Sequence, residues 1–352
     1  MTNPVTTVLS SAGSRRYVPV AATLLLLAAL YAGGLANYRN FDHPQVVANL
    51  FVTNAALLIA AVGMTFVILT GGIDLSVGSV MAFSTMACAW LTVEAGVPAG
   101  WAVPGVLLFG MLSGGLIGAV IHYFKVQPFI ATLVGLFLYR GLTLQISDRD
   151  ISVRDVEFFS WGMERHRFGE VSLPNITFVA LATAVVAFAI LHYTRLGRTV
   201  YAVGGSEQSS HLMGLPVARA KITVYAISGF CAALAGVVAA FYTKSANPLA
   251  GVGFELDAIA SVVIGGTLLV GGYGFVLGTV AGVMVLGLIS TIIAYQGSLS
   301  SWWANMTVGA LLLLFILLQQ LIEKLGRRTV AERAAPPGAE PARPEPQKQA
   351  AP

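Results

Sequence analysis

The stretch Thr70-Gly71-Gly72-Ile73-Asp74-Leu75-Ser76-Val77-Gly78-Ser79 interrupts an apolar run that otherwise continues from residue 46 to residue 93. An acid, three glycines and two serines sit where a buried helix should pass without a break. Non-helical backbone at membrane depth is tolerated only where protein buries it or a watery cavity receives it. An unpaired carboxylate there costs roughly 2.5–3.5 kcal/mol on insertion scales. The motif therefore predicts a broken helix whose polar groups face other protein or a solute path.

The surrounding composition agrees. Of 352 residues, 56% are apolar and only 10% charged, whereas soluble chains carry about 25% charged residues. Glycine is abundant at 38 residues, which suits closely approaching transmembrane helices. A helix crossing the hydrocarbon needs about 20 apolar residues. Candidate spans cover 17–36, 46–69, 74–93, 101–121, 126–146, 173–193, 222–242, 257–270, 275–295 and 302–322. The expected fold is an all-α polytopic membrane helix bundle of about ten transmembrane helices, some of them discontinuous. The first run is too long for a typical signal-peptide core and reads as a retained helix, although an uncleaved signal anchor has the same pattern.

Charge sets the orientation. Arg15 and Arg16 precede the first span, placing the N-terminus in the cytoplasm. On that arrangement thirteen of the 20 Lys and Arg lie on the inner side and six on the outer, as the positive-inside rule requires. The net charge of +4 then describes topology and does not call for nucleic acid. The expected organisation is a cytoplasmic segment 1–16, a membrane domain 17–325 containing a cytoplasmic loop 194–221, and a disordered cytoplasmic tail 326–352 rich in Ala, Pro, Glu, Arg and Lys. That tail has little to bury, and its basic residues would at most anchor it to membrane lipid. The run 257–270 ends in Gly271-Gly272-Tyr273-Gly274 and is short for a crossing. No convincing internal repeat accompanies these breaks.

Several polar residues invite a role. Asp74 either caps the helix that follows it or contacts a polar solute, and both can hold at once. Asn54, Ser76 and Gln127 join it as pathway candidates, each also able to serve as a helix–helix hydrogen bond. Glu255 and Asp257 fall at the start of the short run. They fit acids in a helix's first turn or an outer gate and docking site for a partner. Arg140, near the end of its span, either meets a carboxylate or snorkels to the interface. Trp302 and Trp303 suit the interfacial aromatic belt or, as the alternative, a platform on which a sugar stacks. In the inner loop, Ser206 followed by a short stretch to Gly214 predicts a capped amphipathic helix presenting Leu212 and Met213. Cys88 and Cys231 read as buried apolar side chains. No GxxxxGK[ST] loop, HExxH or Cys/His cluster appears, so no cofactor or metal is expected and any driving energy must come from another subunit.

The run from Ala61 to Ser79, with its GGIDLSVGS string, resembles the hallmark of ribose-type sugar ABC importer permeases. The likeness extends over about 17–325. Within that family the chain looks most like galactofuranose importer permeases, on the string from Leu249 to Thr267 and on Leu299-Ser300-Ser301-Trp302-Trp303. The resemblance implies a bacterial inner-membrane, multi-pass permease with both termini cytoplasmic. Its partners would be a second, different permease subunit, an ABC ATPase subunit that binds the ATP, and a periplasmic sugar-binding protein. Gly204, Gly205, Glu207 and Gly214 fall in what looks like the segment that couples to the ATPase. Relatives often have Asn after the paired glycines and Ala-Ala further on, where this chain has Ser206 and Ser209-Ser210. Two other classes compete: an ion- or proton-coupled secondary transporter, which needs more embedded ionisable relays than Asp74 alone, and a membrane enzyme on lipid-linked sugars, which needs a carboxylate or histidine cluster.

Overall fold

The computed structural model describes residues 12–334 apart from 154–155, 298–299 and 301. The helices are α1 (Ala12–Asn37), α2 (Pro44–Thr53), α3 (Ala55–Leu69), α4 (Val77–Val93), α5 (Ala99–Tyr123), α6 (Pro128–Ile146), α7 (Glu157–Gly162), α8 (Asn175–Tyr193), α9 (Arg195–Gly205), α10 (Glu207–Leu212), α11 (Val217–Thr243), α12 (Phe254–Ile264), α13 (Val276–Gln296) and α14 (Trp302–Ala334). Four short strands complete the order: β1 (Ile151–Ser152), β2 (Arg165–Phe168), β3 (Val171–Pro174) and β4 (Ser245–Ala246).

Among the described residues seven helices are long and apolar enough to cross a membrane, or eight if the bent pair α2–α3 is one span. The expected count of ten is not reached, for a physical reason at each missing span. α4 begins only at Val77 and has 17 residues, about 25 Å of rise, which falls short of the hydrocarbon thickness. α12 has 11 residues and stops at Ile264, because Gly265-Gly266 breaks it well before residue 270. At the other end of the chain α14 continues to Ala334, so the backbone is helical beyond residue 325, where disorder is expected. Leu299 and Ser301 of the tryptophan string, and residues 335–352 of the tail, lie outside the described residues.

Burial sorts the helices into inner and outer. In α11, 72% of the apolar window is buried within the protein and in α13 67%, against 17% in α1 and 11% in α14. α11 and α13 are therefore interior helices, and α1 and α14 turn most of their apolar surface outward. α11 packs against α5 without intervening side chains: a Cβ at Gly114 would run into the Tyr225 carbonyl oxygen, and one at Gly229 into that of Gly110. Only glycine permits two backbones to meet this closely. α3 runs alongside, joined to α13 by a hydroxyl pair, Thr65 to Thr279 at 2.8 Å.

α6 and α11 both start at the end of the bundle that carries α9 and α10, and run roughly 28 Å and 40 Å to the opposite end. There β1 pairs antiparallel with β4, Ile151 opposite Ala246 and Ser152 opposite Ser245. That pairing brings the segments 147–172 and 244–253 together. The hairpin β2–β3 is docked on α2 through Gln45, which accepts from the Ser172 amide at 2.7 Å and donates to the Ser172 carbonyl at 3.0 Å.

Candidate functional site

The break between α3 and α4 is built around Asp74, which is 1% exposed. Its Oδ1 accepts from the Ser76 amide at 3.0 Å and the Ser76 hydroxyl at 2.6 Å, and its Oδ2 accepts from the Ser228 hydroxyl of α11 at 2.7 Å. The first bond closes a turn over residues 74–76 before α4, whose N-cap is Ser76 and which has no side-chain cap bond, so Asp74 does not cap this helix as the sequence suggests. The third ties the break to the interior helix. Ser228 lies about 17 Å along α11 from its start, so this carboxyl group sits deep in the bundle. The Ile73 carbonyl, which has left the helical ladder, receives long hydrogen bonds from the hydroxyls of Thr132 at 3.3 Å and Tyr225 at 3.5 Å. Ser76 also supplies its carbonyl to the Ser79 hydroxyl at 2.8 Å.

The other pathway candidates stand apart from Asp74. Asn54 occupies the 60° bend between α2 and α3, where its side-chain amide donates to the Leu50 carbonyl at 2.8 Å and to the Thr53 hydroxyl at 3.1 Å. It packs on Gly287 of α13. Gln127 is exposed at the N-cap of α6 and makes no side-chain cap bond. It lies in the α5–α6 turn beside Lys125, at the α9–α10 end.

The second break follows α12. Glu255 and Asp257 do occupy the first turn of this helix, which opens at Gly253 with φ +82°. Glu255 points toward Gly78 of α4, and its Oε2 is buried without a hydrogen-bond partner among the described residues. Arg140 corrects the snorkelling expectation: its guanidinium donates to the carbonyls of Pro248 at 3.2 Å and Ala250 at 2.7 Å, holding the chain between β4 and α12. The far end of α12 is held from the chain termini. Gln319 of α14 donates to the carbonyls of Val263 and Thr267 at 3.2 and 3.3 Å, and the Thr23 hydroxyl of α1 donates to the Ile264 carbonyl.

The segment 194–221 carries α9 and α10. The expected short helix is present: Ser206 caps α10 by accepting from the Ser209 amide at 3.2 Å, and Gly214 closes it with φ +73°. Leu212 and Met213 are 82% and 67% exposed, an apolar knob beyond the bundle. Glu207 is ion-paired with Lys221 at 2.7 Å. A cleft of about 590 Å³ beside it is lined by His122, Lys125, Glu207, Gln208 and His211. Gly204 and Gly205, taken together from sequence, differ in place. Gly204 lies against Leu69 and Gly272, whereas a Cβ on Gly205 would meet open space. Sequence reasoning missed α9 as a separate helix, although Leu196, Val200 and Val203 at helical spacing are its signal. It also missed Ser228, whose partner is distant in sequence.

The chain is a membrane helix bundle with two interrupted helices and a short helix, α10, that protrudes from one end. The sequence profile of the family described as "Branched-chain amino acid transport system / permease component" matches residues 46–316, and the chain belongs to that family. It is similar to the inner membrane ABC transporter permease protein YjfF of Escherichia coli K12, 42% identical over 87% of this chain and 93% of the relative. It is likewise similar to the fructose import permease protein FruG of Bifidobacterium longum, 38% identical over 89% and 93%. The ribose import permease protein RbsC of E. coli K12 is 37% identical over 84% and 90%.

Proposed function

We propose that this chain is the transmembrane permease subunit of a bacterial ABC importer that carries a neutral monosaccharide inward across the inner membrane. Identity of 38% and 37% to fructose and ribose import permeases, over 89% and 84% of this chain, carries the reading. ATP is bound and hydrolysed by a partner ATPase, which grips the Leu212–Met213 knob, and a periplasmic binding protein delivers the sugar near β1 and β4. Both termini lie in the cytoplasm, and the chain itself holds no cofactor or metal.

A second, different permease subunit completes the path. Asp74 and Ser76 shape its wall by fixing the first break, with Asn54 and Gln127 toward its ends, and Glu255 and Asp257 serve the outer gate. An uncharged polyol needs hydroxyl-matching groups along such a wall and no countercharge. Galactofuranose is the sugar we place first, on the likeness of the 249–267 string.

The test is uptake by vesicles containing both permeases and the ATPase, supplied with binding protein and a panel of labelled pentoses, hexoses and galactofuranose. ATP-dependent accumulation of one of these is expected. Accumulation by vesicles holding this chain alone, driven by a proton gradient, would overturn the reading.

A further inference from the structure

Three glycine pairs distant in sequence converge at one point. The Gly272 amide donates to the Leu69 carbonyl at 2.9 Å, tying the second break to the end of α3. A Cβ on Gly271 would stand 2.7 Å from the Gly71 amide nitrogen, and one on Gly272 would stand 2.9 Å from the Gly205 amide nitrogen. Gly71, Gly271 and Gly272 have φ of +77°, +88° and +75°, a region that side chains with a Cβ rarely enter. Gly204 completes the junction: a Cβ there would collide with both the Leu69 carbonyl oxygen and the Gly272 amide nitrogen, the two atoms already bonded to each other.

One turn earlier in α9, the Tyr201 hydroxyl donates to the Gly274 carbonyl at 2.8 Å. Burial pushes this phenol up to about 12, so it remains a donor across the physiological range. α9 therefore touches the first break through Gly204 and the second through both Gly204 and Tyr201. It also leads directly into α10, because the Ser206 amide still bonds back to the Ala202 carbonyl while Ser206 caps α10. Val200 and Val203 bury its inner face, so the helix cannot slide freely over the bundle.

We infer that α9 is the lever of this permease, with Tyr201 and Gly204 as positioning residues that pass a displacement of α10 to both helix breaks at once. The inference rests on α10 being the segment that the ATPase moves. Backbone contacts without side chains between them are stiff, and a rigid body that meets two breaks at one point moves them together. A single stroke then changes both walls of the path.

The experiment uses the complete importer in vesicles and measures sugar taken up and ATP hydrolysed in the same sample. Tyr201→Phe removes one hydroxyl and leaves the ring. The complex should assemble and melt only slightly below the wild type, yet move about fivefold less sugar per ATP, the weight of one neutral hydrogen bond. Gly204→Ala should uncouple more severely. If that variant fails to fold, Tyr201→Phe still decides the matter. An unchanged ratio of sugar to ATP in Tyr201→Phe, or a parallel fall in both rates, overturns the lever. Absence of ATP-dependent uptake in the wild-type complex overturns the importer reading instead, so the two failures are distinct.

Discussion

The two helix breaks solve the same problem with different chemistry. At the first, between α3 and α4, one carboxyl group gathers three donors, from Ser76 twice and from Ser228. At the second, after α12, neutral groups from the outermost helices are spread over separate carbonyls: Gln319 serves Val263 and Thr267, and Thr23 serves Ile264. Three hydrogen bonds converge on that single group, whereas each neutral tie of the second break contributes about 0.5–1.5 kcal/mol. The first break is thus fixed by a single centre inside the bundle, and the second by several separate ties that reach in from its rim.

The contrast can be broken most directly at Asp74. Replacing it by Ala leaves the Ser76 amide and the Ser76 and Ser228 hydroxyls facing a void, and should cost about 3 kcal/mol or more. The melting temperature of the solubilised protein should fall further than for Gln319→Leu or Gly205→Ala. Asp74→Asn keeps one acceptor oxygen and should recover part of the loss, because the Ser228 hydroxyl can turn to accept. At the second break, Gln319→Leu should cost about 1–2 kcal/mol, since its two bonds are long and neutral. A loss equal to that of Asp74→Ala would abolish the distinction. The smallest effect is expected at Gly205→Ala. Its Cβ meets nothing, and alanine favours the helix by up to about 1 kcal/mol over glycine. The melting temperature should hold or rise slightly, while the neighbouring Gly204→Ala lowers it. Equal behaviour of the two would mean the junction is not as tight as its geometry.

Much of this was legible in the residues. The 70–79 string announced a break because a carboxylate and paired glycines have no place in an uninterrupted apolar helix. Ser206 and Gly214 marked both ends of α10 because capping is local chemistry. The span count was less legible: hydropathy measures how apolar a run is, and a helix of 17 or 11 residues inside a bundle is as apolar as one that crosses. The bend at Asn54 has no proline or glycine to signal it. Arg140 was ambiguous for a related reason, since carbonyls a hundred residues away leave no mark near it in the sequence.

Composition and local motif alone determined that this chain lives in lipid, that it is helical, and where its backbone must leave the helix. Those properties follow from transfer of side chains out of water and from turn chemistry, which act within a few residues. Only the tertiary structure decided that Ser228 completes Asp74, that β1 finds β4, and that Gly204 meets Leu69 and Gly272. Close approach of backbones depends on where whole helices cross, and a glycine in the sequence says that such an approach is allowed without saying what arrives.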